Sequence, residues 1–316
     1  MKAGTELSPR LKCDFEHGGF SLKNKALISL LLSMVIFGTV GIFRRYIPFP
    51  SGFIAFSRGL IGFIFLFAAL KIRKTPFSIK KTGGKALFLC ISGAMMGFNW
   101  ILLFEAYNHT SVAAATLCYY MAPVFVIIAS PFIFGEKLGG KKILCVFAAV
   151  LGMLFVSGIF EHGIDPAGEM KGIFLALGAA LLYAAVVIMN KKLPEVPAFE
   201  KTVIQLGSAA ATILPYTLFA EDLSTTEISP VSVAMLITVG ILHTGIAYAL
   251  YFGSIGNLPA QTAAIFSYID PVTAILLSAF LLGEELSAFG IIGAVLILGG
   301  AVLSESRIFE KQEKEN

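Results

Sequence analysis

Two ionisable side chains lie inside long apolar runs of this sequence, and they are the groups best placed to do chemistry. Asp270 stands in FSYIDPVTAILLSAFLLGEE (266–285), and Arg58 stands in AFSRGLIGFIFLF (55–67). A charge within an apolar membrane segment costs about 2.5–3.5 kcal/mol on insertion scales, so such residues are functional candidates by default. Asp270 and Arg58 are therefore the first site residues we predict.

Each charge has a functional and a structural interpretation. Asp270 is either a site for a proton or a substrate cation, or a structural carboxylate satisfied by Ser267, Thr273 or a neighbouring helix. Arg58 keeps its proton, so it requires a carboxylate, backbone carbonyls or an anionic substrate group. A structural pair with an acid, or extension of the side chain toward the membrane surface, would also satisfy Arg58. The sequence leaves these alternatives open.

Polar and aromatic residues in other apolar segments could line a path around the two charges. Aromatic walls with a few polar groups are typical of small-molecule sites. Helix packing is the alternative for each of these residues, and an interfacial belt is a further alternative for the tyrosines. The residues we predict to line the path are Asn99, Tyr120, Tyr268 and His243. Further aromatic candidates are Trp100, Tyr119, Tyr183, Tyr248 and Tyr251.

Two prolines, Pro123 and Pro271, lie well inside apolar segments. Proline removes a backbone donor and leaves a carbonyl without its helical partner about one turn earlier. We predict helix kinks at both positions, which would turn polar backbone toward a central cavity and bend as the protein changes conformation. A fixed kink that serves only packing is the alternative.

No catalytic or cofactor motif accompanies these residues. The four cysteines (Cys13, Cys90, Cys118 and Cys145) lack metal-site or disulfide spacing, and no nucleophile–base pair or metal cluster is visible. The segment GEKLGGKK (135–142) resembles a P-loop but follows an apolar helix and ends in lysine. We therefore predict a protein that is not an enzyme, binds no cofactor or metal, and, at a net charge of +4, binds no nucleic acid.

The composition places the chain in a lipid bilayer. Hydrophobic residues make up 57% of the chain and charged residues only 14%, whereas a soluble domain carries about 25% charged residues. A membrane span needs about 20 mostly apolar residues, and in lipid such a segment must be helical. We predict an all-α integral membrane protein with ten spans. They are 26–43, 51–70, 86–104, 111–134, 143–160, 172–190, 201–220, 231–252, 260–282 and 286–303.

The positions of Lys and Arg predict the orientation. With the N-terminus in the cytoplasm, only Arg44, Arg45 and Lys171 fall in outer loops, and the other cations outside the spans lie on the cytoplasmic side. Positive charge concentrates on the cytoplasmic side of membrane proteins. Both termini are therefore predicted to be cytoplasmic.

The sequence repeats itself after 148 residues, which divides the chain into two halves. Because each half holds five predicted spans, an odd number, the second half is inverted in the membrane relative to the first. We predict a cytoplasmic tail at 1–25, a first repeat at 26–160, a second, inverted repeat at 171–304 and a cytoplasmic tail at 305–316. Identical pairs include Tyr120 and Tyr268, Pro123 and Pro271, and Glu136 and Glu284.

The repeated segments MAPVFVIIASPFIFGEK (121–137) and IDPVTAILLSAFLLGEE (269–285) resemble the two signature copies of EamA-type members of the drug/metabolite transporter superfamily. Arg58 is similar to an arginine that such proteins often carry in the second span. The resemblance implies ten helices, cytoplasmic termini and secondary transport of metabolites, frequently export of amino acids or drugs. Family sequences often have Glu before the second proline, where this chain has Asp270, and Ala122 stands at the matching first position.

These observations define the expected function. We predict a secondary carrier that exports a small metabolite, such as an amino acid, by alternating access, with proton coupling as one energy source. A broad-specificity drug exporter and a non-transporting membrane sensor are the alternatives. The expected partners are a small-molecule substrate and the lipid bilayer of the plasma or inner membrane, with the protein a monomer or a homodimer. The sequence leaves the substrate, the direction of transport and the coupling ion open.

Overall fold

The computed structural model describes residues 22–74, 84–110, 112–156, 159–162, 166–221, 228–282 and 287–305. Every regular element within these ranges is a helix, and none is a strand. The all-α prediction is therefore confirmed for the described part of the chain. Most of the two predicted tails, as well as Glu284, lies outside the described residues.

The helices follow the predicted apolar segments closely. Those of the first half are α1 (Leu22–Arg44), α2 (Ser51–Ile72), α3 (Gly84–Tyr107), α4 (Val112–Tyr119), α5 (Ala122–Phe134), α6 (Gly140–Val156) and the short α7 (Ile159–His162). Those of the second half are α8 (Pro166–Lys191), α9 (Ala198–Ala220), α10 (Pro230–Thr238), a π-helical segment (Val239–Ile246), α11 (Ala247–Ile255), α12 (Ala260–Phe266), α13 (Ile269–Leu282) and α14 (Ala288–Glu305).

Proline marks the beginning of several helices, where the missing backbone donor costs nothing. Pro50, Pro197 and Pro259 immediately precede α2, α9 and α12. Pro230 is the first residue of α10, and Ser229 before it accepts a hydrogen bond of 3.0 Å from the backbone N–H of Ser232. Local sequence thus sets where these apolar helices start.

Eight helical stretches of the described chain are long and apolar enough to cross a membrane. Three of them combine consecutive elements: α4 with α5, α10 with the π-helical segment and α11, and α12 with α13. The remaining two predicted spans correspond to α6, of 17 residues, and to α14, whose apolar part is Ala288–Ser304. The protein is therefore a multi-pass membrane protein, and the count of ten spans stays a prediction.

The two halves pack mainly against each other. Helix α1 packs against α11 and α13, and its repeat equivalent α8 packs against α3 and α5. Helix α2 pairs with α9, α5 with α12, and α6 with α14. Each pairing joins a helix of the first half to one of the second. The middle of the molecule is consequently an interface between the halves.

Helices α6 and α14 pair through glycine. A Cβ added at Gly152 would lie 2.7 Å from the carbonyl oxygen of Gly293, closer than real Cβ contacts. Small residues allow membrane helices to approach closely where no hydrophobic effect drives their association. The backbone contact between Gly152 and Gly293 therefore requires glycine.

Candidate functional site

Two spans are interrupted at matching places in the middle of the molecule. The helical course of one stops between α4 and α5, at Tyr120 and Met121, and that of the other stops between α12 and α13, at Ser267 and Tyr268. Pro123 and Pro271, which lack a backbone N–H, follow the two breaks at repeat-equivalent positions. Broken helices of this kind expose polar backbone only where it is buried in protein or lines a cavity.

The two breaks are joined by tyrosine hydroxyl groups. The Tyr268 hydroxyl donates to the backbone carbonyl oxygen of Tyr120 at 2.9 Å. The Tyr120 hydroxyl donates in turn to Oδ2 of Asp270 at 3.2 Å. The two rings lie with their centroids 6.4 Å apart. Tyr120 and Tyr268 are thus close together, and Asp270 accepts from the tyrosine of the other half.

Helix α1 crosses the second break at Gly38. A Cβ at this position would lie 2.7 Å from the backbone carbonyl oxygen of Asp270. The missing side chain therefore brings α1 against the start of α13. At the same end of α13, the Thr273 hydroxyl donates to the Ile269 carbonyl of its own helix at 2.9 Å.

Arg58 is fixed in a way that directs its charge into the protein interior. Its Nε donates to Oγ1 of Thr244 at 3.0 Å, and its guanidinium carbon lies 4.7 Å from the centroid of the Trp100 ring. No carboxylate of the described residues forms an ion pair with it. Since the guanidinium stays charged, this arrangement suits an anionic group that comes from outside the chain.

The π-helical segment supplies the partner of Arg58. The Thr244 hydroxyl donates to the carbonyl of Val239 at 3.1 Å, five residues earlier, which follows the wider π-helical turn. Single π-helical turns within α-helices occur frequently at functional sites. The wider turn thus holds Thr244 beside Arg58.

Asp270 and Arg58 line one cavity of about 770 Å³. Tyr120 and Pro123 also face this cavity, and other wall residues are aromatic, in keeping with a small-molecule site. The cavity extends to the end of the molecule where α1 finishes and α2 begins, which we call the mouth. The aromatic wall residues include Phe37, Trp100, Phe104, Tyr107, Tyr119, Tyr183 and Tyr248.

Three predicted path residues are instead buried behind the cavity wall. Asn99 donates to the Ala179 carbonyl at 2.6 Å and accepts from the Tyr119 hydroxyl at 3.4 Å. Nε2 of His243 lies 2.7 Å from the Thr39 hydroxyl. Tyr268 is 1% exposed and reaches the cavity only through its bond to Tyr120.

Arg44 is a wall residue that the sequence indicated only as part of an outer loop. Its guanidinium lines the mouth of the cavity and donates to the carbonyl oxygens of Ile47 and Phe49 in the α1–α2 connection. The nearby Glu221 accepts from the backbone N–H groups of Gly52 and Phe53, both at 2.6 Å, at the N-terminus of α2. The only signal in the sequence was the position of these charges at the ends of apolar segments.

The end opposite the mouth is closed by contacts between the halves. Glu136, after α5, accepts from the backbone N–H groups of Ala260 at 2.8 Å and Gln261 at 3.3 Å, at the N-terminus of α12. Lys191, at the end of α8, lies 3.3 Å from Glu136 and also donates to the carbonyl of Leu258. A carboxylate at a helix N-terminus is favourable because it faces unpaired N–H groups and the positive end of the helix dipole. These contacts define the closed end.

A more exposed ion pair joins the start of α3 to the loop that follows α8. Nζ of Lys85 lies 2.7 Å from Glu195, and both side chains are about half exposed. The hydrogen bond from Lys85 lowers the pKa of the Glu195 carboxyl. Exposed pairs of this kind contribute little stability because water and salt screen them.

Interlocking apolar helices around a one-sided cavity with polar and aromatic walls define a membrane protein of the transporter class. The chain belongs to the EamA-like transporter family, whose sequence pattern matches residues 24–158 and 170–305, once in each half. The resemblance carried by the repeated segments around Pro123 and Pro271 is thereby confirmed.

The chain is similar to other proteins over most of its length. It is 29% identical to the "Uncharacterized transporter YxxF" of Bacillus subtilis (strain 168), over 93% of each chain. It is 26% identical to "Protein RarD" of Salmonella typhi, over 82% of this chain and 87% of the relative. A solved crystal structure matches with a TM-score of 0.76 at 20% identity and covers 90% of this chain and 98% of its own. That structural likeness establishes the fold alone.

Proposed function

We propose that this transporter is a secondary carrier that exports a small zwitterionic metabolite, such as an amino acid, through the cavity between its two halves. The observation that carries the proposal is the presence of Asp270 and Arg58 in the walls of one cavity. Arg58 has no acidic partner in the described chain, so it would take a substrate carboxylate. Asp270 would take the substrate ammonium group, and the aromatic walls would contact the apolar remainder.

Alternating access supplies the transport cycle in this proposal. The mouth gives access to the cavity from one side, while Glu136 and Lys191 close the other side. With ten spans and cytoplasmic termini, the mouth faces outward, and the closed end faces the cytoplasm. Inward opening would then require Glu136 to leave the N-terminus of α12. Either the gradient of the substrate or a proton carried by Asp270 would drive export.

Three related probes test the two charges separately. Phenylalanine carries both charges, 3-phenylpropionate lacks the ammonium group, and 2-phenylethylamine lacks the carboxylate. Trp100 is the only tryptophan of the chain and lines the cavity, so its fluorescence reports binding directly. We expect phenylalanine to bind more tightly than either analogue and to be transported by proteoliposomes.

Two substitutions assign the charges. Arg58→Ala should remove the advantage that the carboxylate gives phenylalanine over 2-phenylethylamine. Asp270→Asn should remove its advantage over 3-phenylpropionate. If both variants bind and transport phenylalanine like the unmodified protein, the site assignment is wrong. Flux measured with and without a proton gradient then distinguishes coupling from simple facilitation.

A broad-specificity drug exporter is the second candidate, and the aromatic walls around Asp270 favour it. Flat aromatic cations could stack on these walls and neutralise Asp270 without using Arg58. This candidate predicts that Arg58→Ala leaves transport of aromatic cations unchanged. A resistance screen beside an amino-acid efflux screen separates the two candidates.

A further inference from the structure

The bonds at the two helix breaks depart from the symmetry of the repeat at one point. The shift of 148 residues places Tyr120 on Tyr268, and Ala122 on Asp270. The bond from the Tyr268 hydroxyl to the Tyr120 carbonyl therefore has a symmetric counterpart, from the Tyr120 hydroxyl to the Tyr268 carbonyl. In this structure the Tyr120 hydroxyl instead donates to Asp270, at 3.2 Å.

The departure has a chemical cause. A carboxylate is a stronger acceptor than a carbonyl because bonds to ionised groups are about twice as strong as neutral ones. Only the second half carries a carboxylate at this position, so only Tyr120 has the choice between two acceptors. The alternative acceptor, the Tyr268 carbonyl, belongs to a neighbouring tyrosine whose ring centroid lies 6.4 Å from that of Tyr120.

We propose that Tyr120 is a positioning residue that couples occupancy of Asp270 to the conformation of the carrier. While the mouth is open and Asp270 is unoccupied, Asp270 holds the Tyr120 hydroxyl. When a cationic group of the substrate takes Asp270, the hydroxyl transfers to the Tyr268 carbonyl. The bound substrate then favours the state in which the mouth is closed and the opposite end is open, the state that takes up exported substrate from the cytoplasm. The proposal rests on the proposed function, because it requires a carrier with alternating access.

The direction of the effect follows from repeat symmetry. In an inverted-repeat carrier the two halves exchange conformations when access switches sides. The bond from Tyr268 to the Tyr120 carbonyl belongs to the mouth-open state, so its symmetric counterpart belongs to the opposite state. A ligand shifts a conformational equilibrium only through a difference in its interaction with the two states. Competition of the substrate cation with Tyr120 for Asp270 supplies this difference.

A reporter at the mouth tests the proposal without any ligand. Gly41 lines the cavity, and a Cβ there would meet no atom within 4 Å, so Gly41→Cys is compatible with the fold. In a full-length chain whose native cysteines are replaced by alanine, the rate of reaction of this cysteine with a water-soluble maleimide measures how far the mouth is open.

The decisive measurement is a double-mutant cycle on this background. Asp270→Ala should slow the reaction roughly twofold or more, because loss of a bond to a charged group changes a two-state equilibrium by about tenfold. In the Tyr120→Phe background the same Asp270→Ala change should have no further effect. Tyr119→Phe is the matched control: its hydroxyl bonds Asn99 instead, so the effect of Asp270→Ala should persist there.

The outcomes separate this proposal from the proposed function. If Asp270→Ala changes the reaction rate equally with Tyr120 and with Phe at that position, the coupling role of Tyr120 is overturned, whatever the flux assays give. If the cycle behaves as expected but proteoliposomes move no probe, the proposed zwitterionic substrate class fails, and the coupling of Asp270 to the mouth through Tyr120 stands. Trp100 fluorescence and a monodisperse elution profile establish that each variant is folded.

With phenylalanine, a second readout distinguishes coupling from simple packing. Tyr120→Phe should leave the dissociation constant measured by Trp100 fluorescence unchanged or lower, since one competitor for Asp270 is gone. It should change the maximal flux severalfold, because the unoccupied carrier loses the bond that sets its preferred state. A higher dissociation constant with unchanged maximal flux would instead indicate that Tyr120 only shapes the cavity wall, and would overturn the proposal.

Discussion

Arg58 contacts Thr244 and Trp100, and the geometry of these contacts restricts which residues could replace it. Nε bonds Thr244, and the planar group lies over Trp100. Both contacts use features of guanidinium that lysine lacks, namely a fixed fork of donors and a flat face. With Nε engaged, the two terminal nitrogens of the guanidinium have the fork geometry that binds a carboxylate in a bidentate manner.

Arg58→Lys should therefore fail to replace arginine although it conserves the charge. We expect binding of 3-phenylpropionate to weaken by roughly tenfold, since the variant loses a bidentate, stacked anion site. Titration of Trp100 fluorescence measures the change. Thr244→Val is the companion variant: it removes the Nε partner and the hydroxyl bond to the Val239 carbonyl but keeps the guanidinium, so it should weaken binding less. Equal binding by Arg58→Lys and the unmodified protein would contradict a guanidinium-specific site.

The sequence indicated which residues lie at membrane depth better than it indicated which way they face. Asp270, Arg58 and Tyr120 line the cavity, while Asn99, His243 and Tyr268 lie behind its wall. The sequence indicates which polar residues lie at membrane depth, because they occur within long apolar segments. Direction depends on helix rotation and on irregular turns, and the π-helical segment at Thr244 has no counterpart in hydropathy.

The breaks in the two repeat-related spans are the elements on which the site depends. Prolines 148 residues apart indicated them from sequence, because proline interrupts the backbone ladder wherever it stands inside a helix. The role of Glu136 was less visible. Its sequence position suggested only a helix end, but in the structure it caps α12 of the other half. Contacts between distant segments of this kind cannot be inferred from local pattern.

Glu136→Gln should loosen the closed end while preserving its shape. The amide oxygen can still accept from the N–H of Ala260, but the ion pair with Lys191 and the favourable interaction with the helix dipole are lost. Together these are worth about 1 kcal/mol, or roughly fivefold in the equilibrium between the two states. The cysteine introduced by Gly41→Cys should then react more slowly with maleimide, because opening of this end closes the mouth.

A matched carboxylate provides the control for that experiment. Glu105 lies at the end of α3 and accepts from Tyr216 at 3.4 Å, away from the closed end. Glu105→Gln removes one negative charge of the same type, and we expect the reaction rate of the reporter to stay unchanged. A faster reaction in Glu136→Gln than in the unmodified protein would mean that this carboxylate does not hold the far end closed.

The pairing of α6 with α14 makes a separate prediction about stability. Gly152→Ala places a methyl group against the backbone of Gly293 and should destabilise the protein by about 1–3 kcal/mol, as overpacking does. Gly299 lies on the same α14, but a Cβ there would meet no atom within 4 Å. Gly299→Ala should be neutral or slightly stabilising, because alanine favours helix. Thermal denaturation of the purified variants measures both.

The whole molecule is an intermeshed pair of halves rather than two domains side by side. Helices α1 and α8 each pack into the other half, so neither half encloses the cavity alone. Internal repetition and composition sufficed to predict this class of architecture. The side on which the cavity opens could not be predicted, because the repeat makes the two ends of the molecule similar in sequence and only the three-dimensional structure distinguishes them.

The orientation of the molecule in the membrane determines which side the mouth faces. Cysteines placed at two exposed isoleucines test this orientation. Ile72, at the end of α2, and Ile228, before α10, are 81% and 76% exposed. The predicted topology places Ile72 in the cytoplasm and Ile228 outside. In intact cells a membrane-impermeant maleimide should therefore label Ile228→Cys and leave Ile72→Cys unlabelled until the cells are opened. The reverse labelling would show that the mouth faces the cytoplasm. In the conformation described, substrate would then reach Asp270 and Arg58 from inside the cell.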